Sequence, residues 1–139
     1  MKKKRPTSCF CLKLRRAAAC ITSYYDHALE PSGITVSQFS LLLNISKAER
    51  GSLAELADMA ELDRSTLARN IKPLIIKKLV LDTKADRARD SRFILTEAGI
   101  KTLAQAQQLW EAAQSSIAKL LGTDGVTELE KVLEALEIL

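Results

Sequence analysis

The 139-residue chain is 47% hydrophobic and 27% charged, with 5 Gly, 3 Pro, 3 Cys and a formal net charge of +4. That length supports one domain with its own core, and the composition is too apolar and too weakly charged for a disordered chain. No stretch reaches the roughly 18 uncharged apolar residues of a membrane span, so no membrane partner is expected. Lys2, Lys3, Lys4 and Arg5 open the chain, but Lys13, Arg15 and Arg16 interrupt any apolar run that would make them a secretory signal. A cytoplasmic location follows as the expectation, in which Cys9, Cys11 and Cys20 are reduced thiols. From Phe10, apolar residues recur at Leu14, Ala17, Ile21, Tyr25 and Ala28, one helical stripe that Pro31-Ser32-Gly33 stops. Thr35 to Gln38 forms a capping box that opens a short helix through Phe39, Leu42 and Leu43. Ser52 to Glu55 forms a second, opening a helix of about two turns. Asp63 suits the N-cap of a further helix, only about ten residues after the previous start.

After Leu79 the period changes. Leu79-Val80-Leu81 and Arg92-Phe93-Ile94-Leu95 are short apolar runs suited to strands, and the polar, Arg-rich stretch between them predicts a two-stranded hairpin with a charged loop. Thr96 caps a long helix with Ile100, Leu103, Ala106, Trp110, Ala113, Ile117 and Leu120 on one face. Gly122 ends it, and Thr123 or Asp124 starts a last helix carrying Val126, Leu129, Val132, Leu133 and Leu136. The expected fold class is mainly α with a small β-hairpin wing.

The modest net charge conceals a strong asymmetry. Residues 63–92 carry nine Lys or Arg against four Asp, whereas residues 93–139 carry three basic and seven acidic residues. A basic block of this kind points to a polyanionic partner. The same block holds two short helices across a tight turn, which is the pattern of a helix-turn-helix with its second helix in the DNA major groove. The residues that open that second helix are Arg64, Ser65, Thr66, Arg69 and Asn70. Arg pairs guanine bidentately, Asn pairs adenine, and Ser or Thr meets a base edge or a phosphate. Ser65, Thr66, Arg69 and Asn70 share one side of the helix, which leaves Leu67, Ile71, Leu74 and Ile75 for the core. Lys72 joins them as a DNA-binding candidate, and Arg87, Arg89 and Arg92 sit where a wing reaches the minor groove. Pro73, ten residues into the helix, removes one backbone hydrogen bond and predicts a bend beyond the first two turns.

The ordered set of these stretches resembles the MarR family of winged helix-turn-helix transcriptional regulators over about residues 12–136. The resemblance rests on Leu14–Ala18 through Tyr25–Leu29, Gly33–Phe39, Leu53–Ala57, Leu62–Asn70 and Leu95–Gly99. It implies a single winged-helix domain over 1–139, with a DNA-binding lobe at 35–95 (helix-turn-helix about 52–77, wing about 79–95) and dimerisation helices at 8–30 and 97–138. It implies a homodimer on a palindromic double-stranded DNA operator, usually as a repressor, with Ser65, Thr66, Arg69 and Asn70 on the recognition helix and Arg89 at the wing tip. Two positions depart from the family pattern. Lys78 stands where Gly often precedes the first wing strand, at a cost of ~1 kcal/mol if the backbone there is left-handed. Arg87 stands where the wing usually carries Asp.

Two inputs would release such a dimer. The first is oxidation of Cys9, Cys11 or Cys20, beside Lys13, Arg15 and Arg16, set against plain packing of small apolar side chains. The second is a small aromatic or anionic effector, with Arg16, Tyr24, Tyr25, His27 and Phe39 as pocket candidates. No metal site or cofactor is expected, because Cys9 and Cys11 point about 200° apart on a regular helix. A single His and the lack of phosphate-loop, nucleophile-elbow and paired-carboxylate motifs argue against an enzyme. The alternative reading is a helical dimeric interaction module whose basic block binds an acidic protein partner.

Overall fold

Side-chain caps set where the helices begin. A computed structural model describes residues 8–83 and 91–139 of the chain. Helix α1 spans Phe10–Leu29 and passes into a short 3-10 turn, Glu30–Ser32. Helix α2 spans Val36–Ala48, where Thr35 Oγ1 accepts the Gln38 N–H and Gln38 Oε1 accepts the Thr35 N–H. The same reciprocal pair, Ser52 with Glu55, opens α3 at Leu53–Ala60. Asp63 caps α4, Arg64–Ile76, and Thr96 caps α5, Glu97–Leu136. Each cap satisfies backbone donors that the first turn leaves unpaired. Helix α4 runs on through Pro73 to Ile76, so its first two turns stay within one continuous helix. Helix α5 breaks at Gly122 (φ 73°, ψ 166°), a conformation that glycine alone enters cheaply, at the predicted boundary between the long helix and the last one.

The hairpin is larger than expected. Strands β2 (Val80–Asp82) and β3 (Arg92–Leu95) pair antiparallel, with Val80 opposite Leu95 and Asp82 opposite Phe93. A third strand, β1 (Gly51–Ser52), adds to the other edge of β3, giving the order β1-β3-β2. Two residues are too short to show a period in sequence, and only the approach of Phe93 and Arg92 makes them a strand. The sheet therefore ties the entry of α3 to the wing.

Both helix ends around α4 close in the same way. The Leu62 N–H reaches back to the Ala57 carbonyl, and the Leu79 N–H to the Leu74 carbonyl, each at 3.0 Å. Such closures place one residue in the left-handed region, usually glycine. Here Glu61 (φ 54°) and Lys78 (φ 60°) occupy it. The strain expected at Lys78 is thus present, and Lys78→Gly should stabilise the chain by ~1 kcal/mol. A higher urea midpoint at unchanged slope is the measurement; a midpoint that falls would show the lysine offsets its own strain.

One apolar cluster unites the lobe. Leu42, Leu56 and Leu74 are fully enclosed, and Leu67, Ile71, Val80 and Phe93 join them from α4 and the sheet. Burial of each such side chain is worth ~1.5–3 kcal/mol. Leu67, Ile71 and Leu74 are the inward side of α4 that the sequence pattern predicts, with Ile75 half-buried beside them. By contrast, the stripe on α1 and the far half of α5 meet no cover within one chain: Phe10, Ile21, Leu120, Val132 and Leu133 are exposed.

Candidate nucleic-acid interface

The turn between α3 and α4 is Glu61-Leu62-Asp63, three residues long. It presents the first turns of α4 outward while Leu67 and Ile71 anchor the helix to the core. Arg64, Ser65, Arg69 and Asn70 are exposed and Thr66 is half-buried, so the side chains predicted to read bases line an open helix face. Lys72 is exposed as well.

Asp63 organises this face. Its Oδ1 accepts the Thr66 N–H at 2.7 Å and the Ser65 hydroxyl at 2.7 Å, and its Oδ2 accepts the Thr66 hydroxyl at 2.9 Å. Arg69 Nη2 in turn donates to Thr66 Oγ1 at 3.4 Å. The Ser65 hydroxyl, the Thr66 N–H and the Thr66 hydroxyl together hold the Asp63 carboxyl down at about 2, so it is ionised at neutral pH. The sequence identified Asp63 only as a cap; its grip on two further side chains needs the helix geometry.

Arg92 lies on β3 and its Nη1 pairs with Glu55 Oε1 at 3.2 Å, which ties the wing to α3. Both partners are well exposed, and a pair of that kind stabilises weakly. Arg87 and Arg89 lie outside the described residues. Between α4 and the sheet runs a groove of about 390 Å³ whose lining includes Arg64, Lys72, Asp82 and Ser91.

The five effector-pocket candidates lie on α1 and α2, with the Tyr24 and Tyr25 rings edge to face at 6.4 Å. Phe39 is a core residue, stacked on Trp110 at 5.9 Å between ring centroids. His27 faces solvent and approaches Glu30 at 3.5 Å. Arg16 and Tyr24 are exposed on α1. Tyr25 donates to Gln114 on α5, and its phenol is raised by partial burial and by the neighbouring Tyr24. A cavity of about 670 Å³ opens elsewhere, where α2, α3 and α4 meet, with Gln38, Asn44, Met59, Leu67, Arg69 and Pro73 in its wall. Periodicity gave no sign of it, because a cavity between three helices depends on their crossing.

Cys9 precedes α1, and Cys11 and Cys20 lie on it; all three are exposed and none forms a disulfide. Among the described residues, no group of three or more His, Cys, Asp or Glu is placed to hold a metal ion, and no helix is long and apolar enough to cross a membrane.

A capped recognition helix, a three-residue turn and a three-stranded wing define a winged helix-turn-helix DNA-binding protein. A family model described as a winged helix DNA-binding domain matches residues 34–99. No curated protein sequence matches the chain. Among solved structures it is similar to the M. tuberculosis transcriptional regulator MosR, at 32% identity and a TM-score of 0.76 over 95% of this chain and 98% of that one. The same regulator in complex with DNA matches at 34% identity and a TM-score of 0.74, covering 93% and 98%. The transcriptional repressor CouR bound to a 23-mer DNA duplex matches at 26% identity and a TM-score of 0.78, covering 93% and 92%. The chain belongs to the MarR family of winged-helix transcriptional regulators and is a DNA-binding regulator of transcription.

Proposed function

We propose that the protein is a cytoplasmic, non-enzymatic repressor that binds a palindromic operator as a homodimer, each chain placing α4 in the major groove. The observation that carries this reading is the two-sided α4, with Arg64, Ser65, Arg69 and Asn70 open to solvent and Leu67, Ile71 and Leu74 locked in the core. Lys72 is exposed on the same helix, and residues 63–92 carry nine Lys or Arg against four Asp in the sequence. The exposed apolar faces of α1 and α5 supply the dimer contact, in keeping with the proposed dimerisation segments 8–30 and 97–138. Arg87 and Arg89 are proposed to reach the minor groove from the wing.

The test is binding to a palindromic duplex against a scrambled one, across a salt series. Preference for the palindrome, with log affinity falling linearly with log salt, is the expected result. Equal affinity for both duplexes would favour the interaction module with an acidic protein partner. Arg69→Ala should weaken operator binding by ~1–3 kcal/mol and relax the choice of base at one position of each half-site. Undiminished affinity would place the recognition face elsewhere.

Release is proposed to act through the dimer, because half-sites about 34 Å apart tolerate little change in the spacing of the two α4 helices. A small aromatic or anionic effector that meets Arg16, Tyr24, Tyr25 or His27 between α1 and the lobe is one route. Peroxide is the other: it oxidises a thiolate on or beside α1 to a sulfenic acid, which a second thiol converts to a disulfide with loss of water. Operator release by peroxide should disappear in the responsible variant among Cys9→Ser, Cys11→Ser and Cys20→Ser. Release that persists in all three would refute the thiol switch.

A further inference from the structure

Taking α4 as the helix that enters the major groove, we propose that Asp63 is a specificity-determining positioning residue. It turns the Ser65 and Thr66 hydroxyls into hydrogen-bond acceptors, and so selects, at the position each hydroxyl faces, cytosine or adenine, which present an amino group there, over guanine or thymine. The inference rests on the function proposed above and goes beyond it, since it gives Asp63 a role through Ser65 and Thr66 rather than through a base contact of its own.

A serine or threonine hydroxyl has one proton to donate and two lone pairs, which ordinarily lets it meet a donor or an acceptor. That ambiguity is removed here. Ser65 Oγ stands 2.7 Å from Asp63 Oδ1 and Thr66 Oγ1 stands 2.9 Å from Asp63 Oδ2. An ionised carboxylate has no proton to give, so both hydroxyl protons point at Asp63. What Ser65 shows to solvent is lone pairs. Thr66 shows the same, with Arg69 Nη2 sharing one of them at 3.4 Å. To turn either hydroxyl outward, the helix must give up a charge-assisted hydrogen bond.

In the major groove, donors are scarce and informative. The amino groups of cytosine and adenine donate, whereas guanine O6 and N7, adenine N7 and thymine O4 accept. Lone pairs on Ser65 and Thr66 therefore match the amino groups and leave the acceptors to Arg69. Phosphate oxygens are acceptors too, and they carry a charge of the same sign as Asp63. The first turn of a helix usually attracts phosphate, but here the Thr66 N–H is already taken by the Asp63 carboxylate. The Ser65 and Thr66 hydroxyls are thus set for base edges rather than for the strand backbone.

The experiment uses the full chain. A half-site is selected from randomised duplexes, and single cytosines or adenines in it are replaced by analogues that lack the 4-amino or 6-amino group. The wild type should lose about three- to tenfold in affinity at one base pair facing Ser65 or Thr66, the range of a single hydrogen bond. Ser65→Ala or Thr66→Val should erase that sensitivity. Asp63→Ser keeps a favoured N-cap while removing the carboxylate. It should bind the analogue and the natural base alike and should accept bases of either polarity at that position. The proposal is overturned if the wild type tolerates loss of every amino group. It is overturned as well if Asp63→Ser, folded by circular dichroism, keeps the wild-type selection and sensitivity. A preference for the palindrome without amino dependence sinks this inference alone, whereas no preference for any duplex sinks the operator reading with it.

Discussion

Gly99→Ala should lower the stability of the chain by about 3 kcal/mol, as a core position forced to hold one carbon too many. A methyl group on Gly99 would sit 2.0 Å from the Leu79 carbonyl oxygen and 3.0 Å from its carbon. Alanine gains helix propensity of ~1 kcal/mol over glycine, and that gain is smaller than the clash. The obstacle is backbone and is pinned from both sides. The Leu79 oxygen accepts the Thr96 N–H at 3.0 Å, and the Thr96 hydroxyl donates to the Lys78 carbonyl at 2.6 Å. Thr96 also caps α5 through the Gly99 N–H, so retreat of either strand or helix breaks a cap, a turn and a hydrogen bond together. Because Leu79 leads directly into β2, displacement there moves the base of the wing, and operator affinity should fall along with stability. A shift of the urea midpoint checks the first effect. An unchanged midpoint would mean that the carbonyl retreats at no cost.

Local signals were legible in the sequence because their partners lie three or four residues away. Thr35 with Gln38, Ser52 with Glu55, Asp63 with Thr66 and Thr96 with Gly99 each close within one turn, and each stands where its residue type predicts. The inward side of α4 follows from the helical period alone. Features with distant partners were not legible. Strand β1 depends on residues 92 and 93, some forty positions later in the chain. The pairing of Arg92 with Glu55 spans 37 positions and gives a residue predicted to touch DNA a second role at the wing base. That Phe39 is buried with Trp110 stacked against it is not visible in the sequence either. The cavity against Arg69 and the double grip of Asp63 on Ser65 and Thr66 belong to the same class. What an aromatic or a carboxylate does is decided by the neighbour that packing delivers.

Leu133→Glu should separate the dimer and weaken operator binding about a thousandfold, toward the level of non-specific DNA binding. Leu129, Val132, Leu133 and Leu136 follow helical spacing on the far half of α5, beyond the break at Gly122, and all four are exposed in one chain. Phe10, Leu14 and Ile21 are exposed in the same way on α1. An apolar stripe of that extent, left uncovered, marks an interface rather than a finished surface. A carboxylate at Leu133 would be buried there without a partner, which destabilises the association strongly while leaving the lobe core, built from other residues, intact. Without a dimer each chain meets one half-site, and the second half-site no longer adds to the binding free energy. Sedimentation at micromolar concentration reads the mass, and fluorescence anisotropy on the palindrome reads the affinity. A Leu133→Glu protein that remains dimeric with wild-type affinity would move the interface away from α5.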